Sequence, residues 1–218
     1  MAGKYSKQEL KSLLHESTFK IVMQEGIEHC TVRRVSSGCG LSDPYIYQCY
    51  SDLQDLMTSA FLEIDKEVGE LMFKIIKENV KDVVFKKDGV KAAQLLWSAY
   101  WNFLMEKPEK TVFYWRFYQS AYYTLELHEE RQKNYKYFKT FVGKAGKNLG
   151  VSEKADIDIL VSNIIDNTVS VAVKIHLGMF KDSEIAAQTV FHSVFALLFH
   201  YMGLNVWDYN FKLDEAEQ

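Results

Sequence analysis

Only two prolines, Pro44 and Pro108, interrupt the 218 residues of this chain, alongside just 11 glycines. So little punctuation cannot supply the many turns of an all-β protein, and the long unbroken stretches point to helices. With 48% of residues hydrophobic and 25% charged, the chain has ordinary globular usage and can bury a sizeable core.

Helix starts and stops are well marked in the first 60 residues. Ser6-Lys-Gln-Glu9 is a capping box, and Leu10, Leu13, Leu14, Ser17, Ile21 and Val22 follow at helical spacing until Gly26 stops the run. Thr31 is an N-cap for a short second helix with Val32 and Val35 facing inward, ending near Gly38. Cys39-Gly40-Leu41 reads as a tight turn. Ser42 is expected to cap a third helix whose first turn accommodates Pro44. Ser51-Asp-Leu-Gln54 reads as a second capping box, opening a fourth helix that runs to about Asn79.

Further helices are predicted from Asp88-Gly89 to Pro108, through the aromatic-dense Thr111–Tyr123, over about 125–147, and from Ser152 to Lys181 and Ser183 to Met202. An acidic tail closes the chain. The expected architecture is all-α, about nine helices in total.

Several classes are excluded. Cys30, Cys39 and Cys49 are odd in number and lack Cys-x-x-Cys spacing, which argues against a disulfide framework or structural zinc. The polar start is no signal peptide, so a cytoplasmic setting is expected. Ile185–Trp207 carries no Asp, Glu, Lys or Arg, yet its Gln, Thr, His and Asn residues fit a helix buried against a second subunit better than a membrane span. Gly-x-Ser-x-Gly, His-Glu-x-x-His and phosphate-loop motifs are absent, and His128-Glu129-Glu130 lacks a following His, so no enzyme, metal or cofactor is expected.

The informative block is Thr31–Leu56: a short helix, a Gly turn and another short helix have the punctuation of a helix-turn-helix, whose second helix enters the DNA major groove. Short capped helices around a Gly turn also occur in other helical proteins. The residues narrow the choice: Thr31, Gly40-Leu41-Ser42, Ile46-Tyr47, Tyr50 and Leu56 stand where the signature of the TetR family of bacterial transcriptional regulators places its own. The first 65 or so residues thus resemble that family. Two departures stand out: Leu53 replaces the usual Lys before helix four, and Asp43-Pro44 stands where Lys-Gly is more usual. Residues 1–60 hold six basic against seven acidic side chains, within a net charge of −3. That is no basic body for holding nucleic acid by charge alone.

The resemblance implies a DNA-binding domain over 1–55 and a helical ligand-binding and dimerisation domain over 56–218. By matching position, Thr31 and Arg33 or Arg34 would meet phosphate, with Lys4 and Lys7 near the flanking backbone. Ser42, Tyr47 and Gln48 would position the recognition helix, and Asp43, Tyr45 and Gln48 would meet base edges of a palindromic operator. Tyr47 and Tyr50 have packing as their alternative role.

The resemblance also implies a homodimer whose middle helices enclose a small-molecule effector pocket. Trp97, Tyr100, Trp101, Trp115 and Tyr118, with Asn163, Asn167 and His176, are the candidates for an apolar or aromatic ligand, core packing being the alternative for the rings. Apolar residues circle the last helix, so one side needs a partner. Ile185, Phe191, Val194, Phe195, Leu198 and Met202 are the candidate dimer contacts. The chain reads as a ligand-responsive repressor. The second reading is a ligand- or partner-binding dimer whose helix-turn-helix no longer grips DNA.

Overall fold

A computed structural model of the chain describes residues 5–153, 155–201 and 203–205. Its helices are α1 (Lys7–Glu25), α2 (Val32–Gly38), α3 (Leu53–Ile75), α4 (Phe85–Glu106), α5 (Pro108–Tyr118), α6 (Leu125–Arg131), α7 (Lys136–Asn148), α8 (Ile157–His176) and α9 (Glu184–Tyr201). Short 3-10 helices span Ile27–His29 and Asp43–Gln48, and α3 runs on as a π-helix over Ile76–Val80. No strand occurs among the described residues.

By packing, the chain groups into two compact units. One compact unit comprises Met1–Lys66 with Lys107–Arg131, the other Glu67–Glu106 with Gln132–Gln218. The reason is that α5 packs against α1 within the first unit. There Phe19 meets Phe113 at 5.0 Å, and Phe61 stacks on Tyr114 and Phe117, each at 4.8 Å. Leu14, Val22, Val35, Ile46, Phe61 and Phe117 are fully buried. At about 1.5–3 kcal/mol per large apolar side chain, such contacts are what hold these short helices, which would be marginal alone.

In the second unit α4 packs against α7, α8 and α9. Trp97 and Trp101 stack at 5.2 Å on α4, and Trp97 meets Phe191 of α9 edge-on at 5.4 Å. The Trp97 indole N–H donates to Thr168 Oγ1 of α8 at 3.0 Å, so this buried ring satisfies its one polar atom inside the core. No described helix is long and apolar enough to cross a membrane.

The predicted starts hold at α1 and α2. Ser6 and Glu9 form the reciprocal capping box, Gly26 ends α1 with φ 104°, and Thr31 caps α2 by accepting from the Arg34 N–H at 3.3 Å. Other boundaries differ: α4 starts at Phe85 rather than Asp88, α5 spans Pro108–Tyr118 rather than Thr111–Tyr123, and α8 ends at His176 rather than Lys181. Asp52, not Ser51, caps α3: its carboxylate accepts from the Asp55 N–H at 2.8 Å, and the Asp55 carboxylate accepts from the Ser51 N–H at 2.9 Å. A carboxylate outcompetes a hydroxyl as acceptor, which moves the box by one residue. The expected third helix is a 3-10 helix, and Ser42 makes no side-chain cap. The span 125–147 is two helices, interrupted over 132–135. The helix expected from Ser152 to Lys181 starts at Ile157, because Asp156 accepts from both the Asp158 and Ile159 N–H groups.

Candidate functional site

The helix-turn-helix is built within the first unit. α2 lies against α1: Ser17 Oγ donates to the Val35 carbonyl at 2.8 Å, and a Cβ on Gly38 would run into that same hydroxyl. Gly40 takes φ 68° in the turn, a conformation that favours glycine, and the Leu41 N–H returns to the Ser36 carbonyl at 2.8 Å. The chain then enters the Asp43–Gln48 segment. Three residues per turn align residues three apart, so Ile46 points into the core while Pro44 pairs with Tyr47 and Tyr45 with Gln48. Asp43, exposed at the start of the segment, turns one carboxylate oxygen to the hydroxyl of buried Ser36.

The outer face of this unit carries the side chains that sequence reasoning singled out. Thr31, Arg33, Arg34, Ser42, Asp43 and Gln48 are exposed, Tyr45 is half-buried, and Tyr47 is 58% exposed. Tyr47 therefore does not close the core, whereas Tyr50, at 5% exposure, does. The Thr31 oxygen accepts from the Arg34 N–H, so its own hydroxyl hydrogen remains to be donated elsewhere. Arg34 is ion-paired with Glu25 at the end of α1, while Arg33 makes no ion pair among the described residues. Lys7 is exposed, and Lys4 lies outside the described residues.

Two polar networks that sequence reading missed brace this unit. His15 is 3% exposed; its Nδ1–H donates to Glu63 Oε2 at 2.8 Å, and its Nε2 lies 2.7 Å from the Tyr50 hydroxyl, which donates to it in the neutral ring. The His15 hydrogen bond holds the Glu63 carboxyl below its ordinary value, and burial pushes Tyr50 up to about 12. The second network joins α3, α5 and α6: Arg131 donates to Asp65 Oδ1 and to the Tyr114 and Tyr123 hydroxyls. Signals existed. Asp65 falls four residues after Phe61 on the stripe Phe61, Ile64, Val68, and His15 adjoins the stripe Leu10, Leu14.

The ligand candidates divide between the two units. Trp97, Tyr100 and Trp101 are buried on α4 of the second unit, and His176 there donates from Nε2 to the Leu104 carbonyl at 2.9 Å. Asn163 and Asn167 are exposed, the amide of Asn167 donating to the Asn163 carbonyl of its own helix. Trp115 and Tyr118 belong to the first unit, with ring centroids 6.1 Å apart and the Arg131 guanidinium 5.7 Å from the Tyr118 ring. A cleft of about 300 Å³ in the second unit is lined by Phe138, Lys139 and Val142 of α7 and Ile157, Asp158 and Val161 of α8, among others, and by none of these candidates.

On α9, Phe191 and Phe195 are buried within the chain, Val194 and Leu198 are half-buried, and Ile185 is 75% exposed; Met202 lies outside the described residues. Leu197 is exposed on the same helix, and Ile159 stands out from α8. Burial pushes the Cys30 thiol up to about 12 and raises that of Cys39 as well, so both favour the unreactive protonated form. Among the described residues no group of three or more His, Cys, Asp or Glu side chains is arranged to hold a metal ion.

No family profile matches the chain, and no curated protein matches it. Solved structures do. A TetR-family transcription regulator from Marinobacter aquaeolei VT8 superposes with a TM-score of 0.70 at 16% identity, over 86% of this chain and 94% of that one. A tetR-family transcription regulator from Shewanella sp. PV-4 gives 0.65 at 14% identity, over 90% and 97%. The transcriptional regulator FadR from Bacillus subtilis, in complex with stearoyl-CoA, gives 0.63 at 15% identity, over 84% and 96%. These likenesses show that the chain has the TetR-family fold.

Proposed function

We propose that this chain is a ligand-responsive transcriptional regulator that binds a palindromic DNA operator as a homodimer in the cytoplasm. The observation that carries the reading is the outward face of the helix-turn-helix, where Thr31, Arg33, Tyr47 and Gln48 stand exposed around a segment whose inner edge is anchored by fully buried Ile46. Thr31 and Arg33 suit phosphates, which fix position, and the side chains of the 3-10 segment suit base edges, which carry sequence information. The exposed Ile185 and Leu197 of α9 and Ile159 of α8 support a second copy as the partner of those helices.

An apolar effector suits the aromatic interior of the second unit, and the stearoyl-CoA bound to the Bacillus subtilis regulator makes a long acyl chain one candidate to test. The mechanism is a population shift: the effector favours a dimer whose two recognition segments no longer match the spacing of two half-sites. Because the exposed basic side chains are few, sequence-dependent contacts carry much of the affinity and binding is seen best at low salt.

The test is in-vitro selection of sites from a random duplex library at low salt, using the purified protein. An enriched palindrome supports a sequence-reading regulator. No enrichment by an intact dimer supports the second reading, a binding dimer whose helix-turn-helix has lost DNA.

A further inference from the structure

An exposed acidic residue at the front of a DNA-reading segment needs a physical reason, because an ionised carboxylate among phosphates opposes binding. Asp43 is that residue: it is the first of the 3-10 segment, it is exposed, and it has no ion pair among the described residues. Its placement is fixed from behind. Ser36, buried on α2, directs its hydroxyl at Asp43 Oδ1. The Val32 carbonyl at 2.9 Å and the Arg33 carbonyl at 3.3 Å compete for the same single hydrogen. The ionised oxygen is the stronger acceptor by roughly twofold, so the hydroxyl goes to Asp43. With one carboxylate oxygen fixed, the other has a set direction and takes no hydrogen bond from the described residues.

Resting on the DNA-binding function proposed above, we infer that Asp43 is a specificity-determining residue that reads a cytosine in each half-site, and that Ser36 is the positioning residue that aims it. A carboxylate only accepts hydrogen bonds, and the exocyclic amino group of cytosine is the major-groove donor that Asp and Glu side chains meet. That pairing offsets the loss of favourable charge. It also excludes guanine and thymine at the same position, whose edges present acceptors that would face the carboxylate.

The experiment is competition binding of duplexes based on the selected site, changing each half-site position symmetrically to all four base pairs. Wild type, Asp43→Asn and Ser36→Ala are compared, with folding checked by thermal melts. Wild type is expected to lose roughly tenfold in affinity when the cytosine at one symmetric position is replaced. Asp43→Asn, whose one oxygen stays with the Ser36 hydroxyl and which turns its amide donor outward, is expected to move the preference at that position to guanine or thymine, whose edges present acceptors. Ser36→Ala is expected to reduce the cytosine preference while leaving the salt dependence unchanged, a split that a purely structural role would not give. The surface change Asp43→Asn keeps the test sound should Ser36→Ala fail to fold. A palindrome bound by Asp43→Asn with an unaltered base profile overturns this inference alone. Absence of any enriched site overturns it together with the DNA-binding function.

Discussion

Arg131 Nη2 lies 3.0 Å from Asp65 Oδ1, where α6 meets α3, and the aspartate is fully buried while the arginine side chain is 12% exposed. The guanidinium also lies 5.7–5.9 Å from the ring centroids of Phe61, Tyr114, Tyr118 and Tyr123. Taking one charge from a buried pair leaves the other in a low-dielectric site. Asp65→Ala or Arg131→Ala should therefore each cost about 3–5 kcal/mol. Replacing both by apolar residues should recover a large part of that loss. Urea denaturation of the two singles and the double checks this; single variants within 1 kcal/mol of wild type would show that the pair is solvated.

Glu63 supplies a pH dependence of defined sign. Its folded-state carboxyl is held below the ordinary 4.5, chiefly by the hydrogen bond from His15, with Lys110 and Lys11 adding to it. A depressed carboxyl contributes stability that is present above the unfolded value and is lost as pH falls through the folded one. The stability difference between wild type and Glu63→Gln should thus shrink as pH drops below 4.5. Urea midpoints for both proteins across pH 3–6 read the effect, and a difference that grows below 4.5 would contradict it.

Two helical glycines should respond in opposite directions to alanine. A Cβ on Gly69 would stand 2.8 Å from the Asn134 backbone oxygen, whereas one on Gly143 meets nothing within 4 Å. Backbone cannot rotate away as a side chain can, so Gly69→Ala should destabilise by about 1–3 kcal/mol. Gly143→Ala, on an exposed stretch of α7, should stabilise by about 0.5–1 kcal/mol through helix propensity. Thermal melts of the pair check both signs.

Arg33 and Arg34 should separate in DNA binding. Arg34 must leave Glu25 to meet a phosphate, whereas Arg33 has no such partner among the described residues. Arg33→Ala should lower the slope of log affinity against log salt by about one per subunit. Glu25→Gln should strengthen DNA binding by releasing Arg34. Fluorescence anisotropy across a salt series measures both; a steeper slope in Arg33→Ala would refute the assignment.

The N-terminal unit was legible because its signals are local. A cap at Ser6, a stop at Gly26, a cap at Thr31 and a turn at Gly40 each act within a few residues, and the structure uses every one. What escaped was decided by tertiary contact. The 3-10 geometry of Asp43–Gln48 follows from packing Ile46 and bonding Asp43 to Ser36 across the turn. The Asp65–Arg131 pair spans 66 residues, beyond the reach of any motif. The same limit applies to the aromatic residues: composition marks Trp97 and Trp115 alike, but only the fold assigns one to each unit. On α9, apolar residues circle the helix, so periodicity could not say that Phe191 and Phe195 turn inward while Ile185 faces out.

The central claim is that the exposed edges of the Asp43–Gln48 segment read base sequence. The most direct measurement compares wild type with a Tyr47→Ala, Gln48→Ala double variant on the selected palindrome and on an unrelated duplex of equal length. These side chains are exposed, so the variant should fold as wild type does. The account predicts that much of the preference for the palindrome is lost, with Asp43 and Tyr45 carrying the remainder, while affinity for the unrelated duplex stays unchanged. Undiminished preference for the palindrome would contradict it and move sequence reading to another surface of the protein.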